Sequence, residues 1–338
     1  MLHHKYSKNL TQMMIYSFPV VMILMALIVG RYPIDFSTVL AGTRFLGDSQ
    51  PMDVQTSVVW LIRFPRAVTG FLIGGSLALA GATLQGIFRN PLVDSGMLGV
   101  NSGAGFGAVL AIILFNGSNV MTLLFAFIFG MVAVGLAFLI GSFYRRASSI
   151  MLILGGVIVS SLFSSLISFG KYVADPFDEL PEIVFWLMGS LANISYDELE
   201  YVLLPIMVGA FGIFYFRRQI NILSMGEKEA ASLGVDTRRL RLLLIMFCSL
   251  ITAAAVCVAG TIGWIGLIIP HIIRMLIGND HGKLVPLSFF LGGSFLVFID
   301  IIARTLTSSE IPIGILTSLI GAPFYIMLLR KTKGGNWQ

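Results

Sequence analysis

The sequence predicts an all-α integral membrane protein of about ten transmembrane helices, with both termini on the cytoplasmic side. Three observations lead there. Of 338 residues, 57% are hydrophobic and only 12% charged, where a soluble domain carries about 25% charged residues. Mean hydropathy is +0.91. Residues 95–144 and 242–273 contain no Asp, Glu, Lys or Arg, and a water-facing surface cannot be built from such runs. Finally, Lys and Arg are shared unevenly between alternate connections, as expected of a chain threaded through a bilayer.

A span needs about 20 apolar residues, and ten stretches qualify: 13–30, 60–87, 97–115, 120–143, 149–170, 201–216, 240–259, 261–277, 284–306 and 313–329. The first follows Lys5 and Lys8 and is similar to a signal peptide. No small-x-small cleavage site follows it, so it is expected to be retained. The second is long enough to tilt or to extend past the bilayer, and carries small residues at i, i+4 spacing: Gly70, Gly74, Ala78, Ala82 and Gly86. The third begins with Gly99, Gly103 and Gly107. Such ridges let helix backbones approach closely, either within the subunit or along a path or subunit seam. The sixth and eighth spans are short, and Pro270 should kink or end the eighth. A faint echo relates Ala80-Gly81 and Pro91 to Ala259-Gly260 and Pro270, which have the same spacing; inverted repeats of this kind occur in transporters.

With the N-terminus inside, sixteen of the 22 Lys and Arg fall on the cytoplasmic side. Arg31, Arg44, Arg63, Arg66, Lys171 and Arg304 fall outside. The acidic residues Asp175, Asp178, Glu179, Glu182, Asp197, Glu198 and Glu200 lie in an external segment, 171–200, which also holds the short apolar piece IVFWLMGSL, read as a helix at the outer mouth. The charged island SMGEKEAASLGVDTRRLR falls in a cytoplasmic loop, 217–239. Within it a short helix ended by Gly234 should precede a second helix that Asp236 can cap. It is either a docking knob for a soluble protein or a solvated loop.

Several chemistries are missing. There is no His-Glu-x-x-His, no Gly-x-Ser-x-Gly and no Walker A sequence. The midplanes of the spans are nearly free of the ionisable groups that an ion-coupled carrier uses. Cys248 and Cys257 read as packing residues, so no disulfide or metal role is expected. No basic, aromatic-studded surface exists for nucleic acid. Asp300 and Arg304, four apart, can pair on one helix face. His271 and Arg274 stand at the inner end of the eighth span, and His271 reads as a donor to backbone freed by Pro270. Uphill transport by such a chain would need a partner's energy.

Five blocks in order then carry a resemblance: RFPRAVTGFLIGGSLALAGATLQGIFRNPLVDSGMLGVNSGAG at 63–105, GEKEAASLGV at 226–235, VAGTIGWIGLIIPHIIRMLIGNDHGKLVP at 258–286, DIIAR at 300–304 and EIPIGILTSLIGAPFYIMLLR at 310–330. The sequence resembles the FecCD-type permease subunits of ABC importers for vitamin B12, ferric siderophores, haem and related metal complexes. The resemblance implies a single permease domain over 1–338 with type II importer architecture, in a bacterial or archaeal cytoplasmic membrane. It implies a second copy of the chain, two ATPase subunits that hold ATP and Mg, and an external binding protein. No cofactor is expected on this chain. The resemblance places ATPase coupling on Gly226, Glu227, Ala230, Leu233 and Gly234. It places binding-protein docking on Arg63, Arg66 and Arg304 at the outer rim, with Asp300 holding Arg304. It lines the translocation path with the fifth span, giving Ser148 and Ser149 as gate residues. Ser161, Ser164, Ser165 and Ser168 share one face of that span at i, i+3, i+4, i+7, where they either line the path or bond their own helix carbonyls. The expected cargo is a metal chelate. The alternatives are a small oxyanion such as molybdate or tungstate, a stand-alone secondary carrier, or a receptor without transport.

Overall fold

A computed structural model describes residues 2–42, 53–142 and 149–331. Among these there is no strand. The helices are α1 (Leu2–Ile28), α2 (Phe36–Gly42), α3 (Val54–Ser57), a π-helical turn (Val58–Arg63) that runs into α4 (Phe64–Phe88), a 3-10 turn (Ser95–Leu98), α5 (Val100–Phe115), α6 (Asn119–Ser142), α7 (Ser149–Val173), α8 (Glu179–Met188), α9 (Tyr196–Met225), α10 (Glu227–Ser232), α11 (Thr237–Ala259), α12 (Ile265–Ile277), α13 (His281–Thr305) and α14 (Ile313–Lys331). Seven helical stretches among the described residues are long and apolar enough to cross a membrane: 9–28, 54–88, 119–142, 150–173, 196–225, 237–259 and 281–305. Three shorter apolar helices lie at 100–115, 265–277 and 313–327. These ten fall on the ten predicted stretches.

Helix ends follow local chemistry. Asp53, Asp236 and Asp280 accept backbone N–H bonds at the starts of α3, α11 and α13, satisfying donors that a helix leaves orphaned. Ser195 and Glu198 form a reciprocal capping box at the start of α9. One predicted element differs from the structure. The sixth span is no short helix but the 30-residue α9, because capping at Ser195 starts it early and the polar turn after Phe216 is still helical. Arg217 and Arg218 therefore sit on α9, and the loop expected over 217–239 shrinks to α10 and its two flanking turns. Pro270 lies inside α12 without ending it.

The centre of the molecule is α4, whose span is 83% buried. It packs on α13, α11, α9 and α12. The ridge of small residues makes this possible within the subunit. Gly74 faces the Gly292 backbone of α13, Gly75 faces Phe289, and Gly86 faces Ile220 and His281. Each lacks room for a Cβ. Gly103 and Gly107 likewise set α5 against the backbone of α6 at Phe129 and Phe125. Without a hydrophobic driving force in lipid, such contacts hold helices together by close dispersion packing. At the edge of the subunit, α7 is only 22% buried, against 33% for α6 and α9.

The two echoed segments meet. After α4 the chain turns at Arg89, a non-glycine residue with φ +52°, and Asp94 then comes against Gly266 near the start of α12. The second copy turns at Gly260 and at Trp264, whose φ is +72°. Gly81 of α4 packs on the Gly266 backbone without space for a side chain. Both segments precede a short helix, α5 in one case and α12 in the other.

Gly74→Val should lower the stability of the purified protein by about 1–3 kcal/mol, the range for overpacking. Gly135→Ala, on a face of α6 with nothing within 4 Å of a new Cβ, should not. Thermal unfolding in detergent checks both.

Candidate functional site

The inner candidate is α10 and its turns. Gly226 starts it with φ +137° and Gly234 follows it with φ +77°, conformations that residues with a Cβ rarely adopt. A Cβ at Gly226 would meet the movable end of the exposed Glu229 side chain, so its φ is the firmer constraint. Ala230 is fully buried among side chains that include Leu223, Leu240 and Leu244. Of the five residues expected to touch a partner, Gly226 and Ala230 therefore seat α10 on the body of the protein. Glu227, Leu233 and Gly234 are exposed, and Leu233 stands out as an apolar side chain at 61% exposure. Glu227 also accepts a bond from Arg241, so Arg241 ties α11 to α10. Arg238 and Arg239 stay exposed. Asp236 accepts the Arg239 backbone N–H at 3.1 Å and pairs with its guanidinium at 3.1 Å.

The outer candidate departs from expectation. Arg63, Arg66 and Arg304 are only 5%, 5% and 7% exposed. Rather than projecting from a rim, they bond to this chain's own groups. The reason lies in α1, whose last carbonyls have no intrahelical donor. Arg63 donates to Leu27 O at 2.8 Å, Ile28 O at 2.9 Å and Tyr32 O at 2.6 Å. Arg304 donates to Ala26 O. Arg66 forks onto two carboxylates: Asp300 at 2.7 Å and Glu310 at 2.8 Å. The predicted Asp300–Arg304 pair exists at 3.7 Å, yet the closer partner of Asp300 is Arg66. Arg31, which the sequence did not single out, donates to Arg304 O at 3.0 Å and Thr307 O at 2.9 Å. Burial pushes the Glu310 carboxyl up, but its bonds to Arg66 and the fields of Arg31 and Arg304 outweigh this and hold it below the ordinary range.

The third candidate is the exposed side of α7. Ser161, Ser164, Ser165 and Ser168 are all exposed there. Ser165 donates to Ser161 O and Ser168 to Ser164 O, both at 3.0 Å. Ser148 lies outside the described residues, and Ser149 is the first residue of α7.

Two polar clusters were not anticipated. Beneath α8 a cavity of about 460 Å³ is lined by Asn119, Glu182, Trp186 and Glu198 among others. Glu198 accepts from Asn119 at 2.6 Å and from Ser195 N at 2.9 Å. The Ser-x-x-Glu spacing was the available signal. At the inner side Gln85, on the last turn of α4, donates to Gly266 O at 3.0 Å and accepts from Arg274. Nearby, Asn221 bonds the backbone N of His281 at 2.7 Å and Asp280 at 2.8 Å. No local pattern marks these pairs.

A bundle of helices long and apolar enough to cross a membrane, with a short exposed helix on one face, suits a transport permease. The chain belongs to the FecCD transport family, whose model matches residues 18–331, and it is an ABC importer permease subunit, ATP hydrolysis residing in a partner. It is 43% identical to the molybdate import system permease protein MolB of Haemophilus influenzae, over 84% of each chain. It is 41% identical to the cobalamin import system permease protein BtuC of Halobacterium salinarum, over 82% of this chain and 74% of that one. A solved structure described as an inward-facing conformation of a metal-chelate type ABC transporter superposes with a TM-score of 0.86 at 39% identity, covering 96% of this chain and 99% of the other.

Asp300→Ala should destabilise the protein by about 3–5 kcal/mol, because it leaves buried Arg66 and Arg304 short of charge compensation. Replacing Arg66 and Asp300 together by Met should recover much of that loss. Chemical unfolding of the purified variants measures both.

Proposed function

We propose that this chain forms, with a second copy of itself, the membrane-embedded path of a binding-protein-dependent importer in a bacterial or archaeal cytoplasmic membrane. Both termini and α10 face the cytoplasm, with ten crossings per subunit. ATP-driven closure of two partner ATPases pushes on α10 and switches the dimer between outward- and inward-open states. The observation that carries this reading is the exposed Leu233 beside glycine turns, on a helix that buried Ala230 fixes to the body. An apolar anchor on a rigid knob suits a cleft in a soluble partner. Exposed α7, with its serines, faces the dimer axis, and the gate lies at its start, by Ser148 and Ser149.

An external binding protein docks on the outer face. Arg63, Arg66 and Arg304 take part only by exchanging present partners for carboxylates of the binding protein. Glu310 is the most accessible of those partners, its side chain 28% exposed.

The cargo is a metal chelate of the ferric siderophore, haem or cobalamin class. A second reading, a small oxyanion such as molybdate or tungstate, is favoured by the 43% identity to a molybdate permease. Ligand binding by the cognate binding protein, with haem, siderophore, cobalamin and molybdate compared, separates the two.

Leu233→Asp should reduce ATPase co-purification at least about tenfold, given the cost of a charge in an apolar cleft, and abolish ATP-dependent uptake. Size-exclusion profiles should stay those of the unaltered protein. Retained ATPase and normal uptake in this variant would falsify the coupling role.

A further inference from the structure

Arg274 is a half-buried cation of a different kind from the buried Arg66 and Arg304. Arg66 and Arg304 share Asp300 and Glu310. Arg274, near the end of α12, has no carboxylate within 4 Å among the described residues. Its Nη2 donates to the Gln85 carbonyl oxygen, and that amide is fixed in orientation because its nitrogen is committed to Gly266 O. Its Nη1 is shielded from solvent and has no hydrogen-bond partner among the described residues. The ionisable groups that act on it from neighbouring elements are His271 on α12, His281 on α13 and Tyr325 on α14, none of them an anion in its ordinary state. His281 is 6% exposed, and its Nε2 also lacks a partner.

A guanidinium carries five N–H donors and a full charge. One amide oxygen cannot satisfy it. The end of α12, one turn on, offers partial negative charge, but a helix terminus offsets only a small part of the cost of burying an ion. Packing alone does not require a charge here, because an apolar side chain of similar volume would fill the same space. A cation kept under these conditions points to an anion that arrives from outside the chain. The guanidinium fork matches tetrahedral oxyanions bidentately. The site lies close to the surface of the subunit, since Met275 and Leu276, next on α12, are exposed, as are Ile326 and Met327 of α14.

We infer that Arg274, positioned by Gln85, is the binding group for a tetrahedral oxyanion at the inner end of the helix bundle, reached when α4, α12 and α14 part. The assignment of that anion to cargo rests on the importer reading. The site itself does not, because a phospholipid headgroup offers the same chemistry.

The test uses the permease purified with its ATPase partner, in nanodiscs of phosphatidylcholine or of phosphatidylglycerol, with molybdate, phosphate or no added anion. Thermal unfolding and molybdate binding are read for the unaltered chain, Arg274→Gln and Arg274→Lys. Molybdate should raise the unfolding temperature of the unaltered chain. Arg274→Gln should weaken molybdate binding roughly ten- to hundredfold, the range for losing charge-assisted hydrogen bonds, and Arg274→Lys should weaken it less. Without anion, Arg274→Gln should be as stable as the unaltered chain or more so, whereas a purely structural arginine would lower stability on removal. Protection by phosphatidylglycerol alone, lost in Arg274→Gln, upholds the site and assigns it to a lipid headgroup. Equal anion response in all three chains, or a loss of anion-free stability in Arg274→Gln with no anion response in the unaltered chain, overturns it. If Arg274→Gln does not fold, the comparison of Arg274→Lys with the unaltered chain decides. Failure of the ATPase to co-purify would count against the importer reading and leave the anion measurements intact.

Discussion

The backbone contact between α4 and α13 organises this molecule. Gly74 and Gly292 bring the two backbones together, and Gly75 and Gly293 make room for the rings of Phe289 and Phe71. That closeness fixes where everything else on α4 can reach. At its outer end Arg66 falls beside Asp300 of α13. At its inner end Gly86 seats against His281, and Gln85 spans from Gly266 to Arg274 on α12. In lipid the apolar side chains gain little from leaving one apolar medium for another, so tight backbone packing and a few well-placed polar contacts must hold the bundle.

The two ends of α4 use charge in opposite ways. At one end, Arg63 and Arg304 close open carbonyls of α1, while Arg66 with Asp300 and Glu310 joins α4, α13 and the segment before α14 into one layer. Each cation there has an oxygen to receive it. At the other, the partners are amides, imidazoles and a phenol. The first arrangement is that of a finished structural joint and the second that of an incomplete one. Residue type alone does not separate them; the distribution of carboxylates does.

Much of this was legible in the sequence. Long runs without charge mark spans because water-facing surfaces cannot do without charge, and Asp236 announces its helix because a short acceptor is wanted before orphaned N–H groups. The length of α9 was hidden, since hydropathy stops at Arg217 while helical hydrogen bonding continues into polar sequence. The inward turn of Arg63, Arg66 and Arg304 was hidden too. It depends on where α1 ends against residues far along the chain, and no local spacing encodes that. The same holds for Gln85 with Arg274, which meet only because α4 and α12 pack. Ala230 reads as one more small residue on a charged helix until its complete burial in the core shows that it is the foot on which that helix stands.

The back-bonded serines of α7 have a further consequence. Ser165 and Ser168 give their hydroxyl hydrogens to the preceding turn, leaving only lone pairs toward the open side. Two polar residues thus present a surface that accepts but does not donate. Oxygen-rich solutes find no hydrogen at these two hydroxyls, while water and ammonium-like groups find an acceptor. At Ser165 and Ser168 the face of α7 thus selects by the direction of its hydroxyls, with no charge at all.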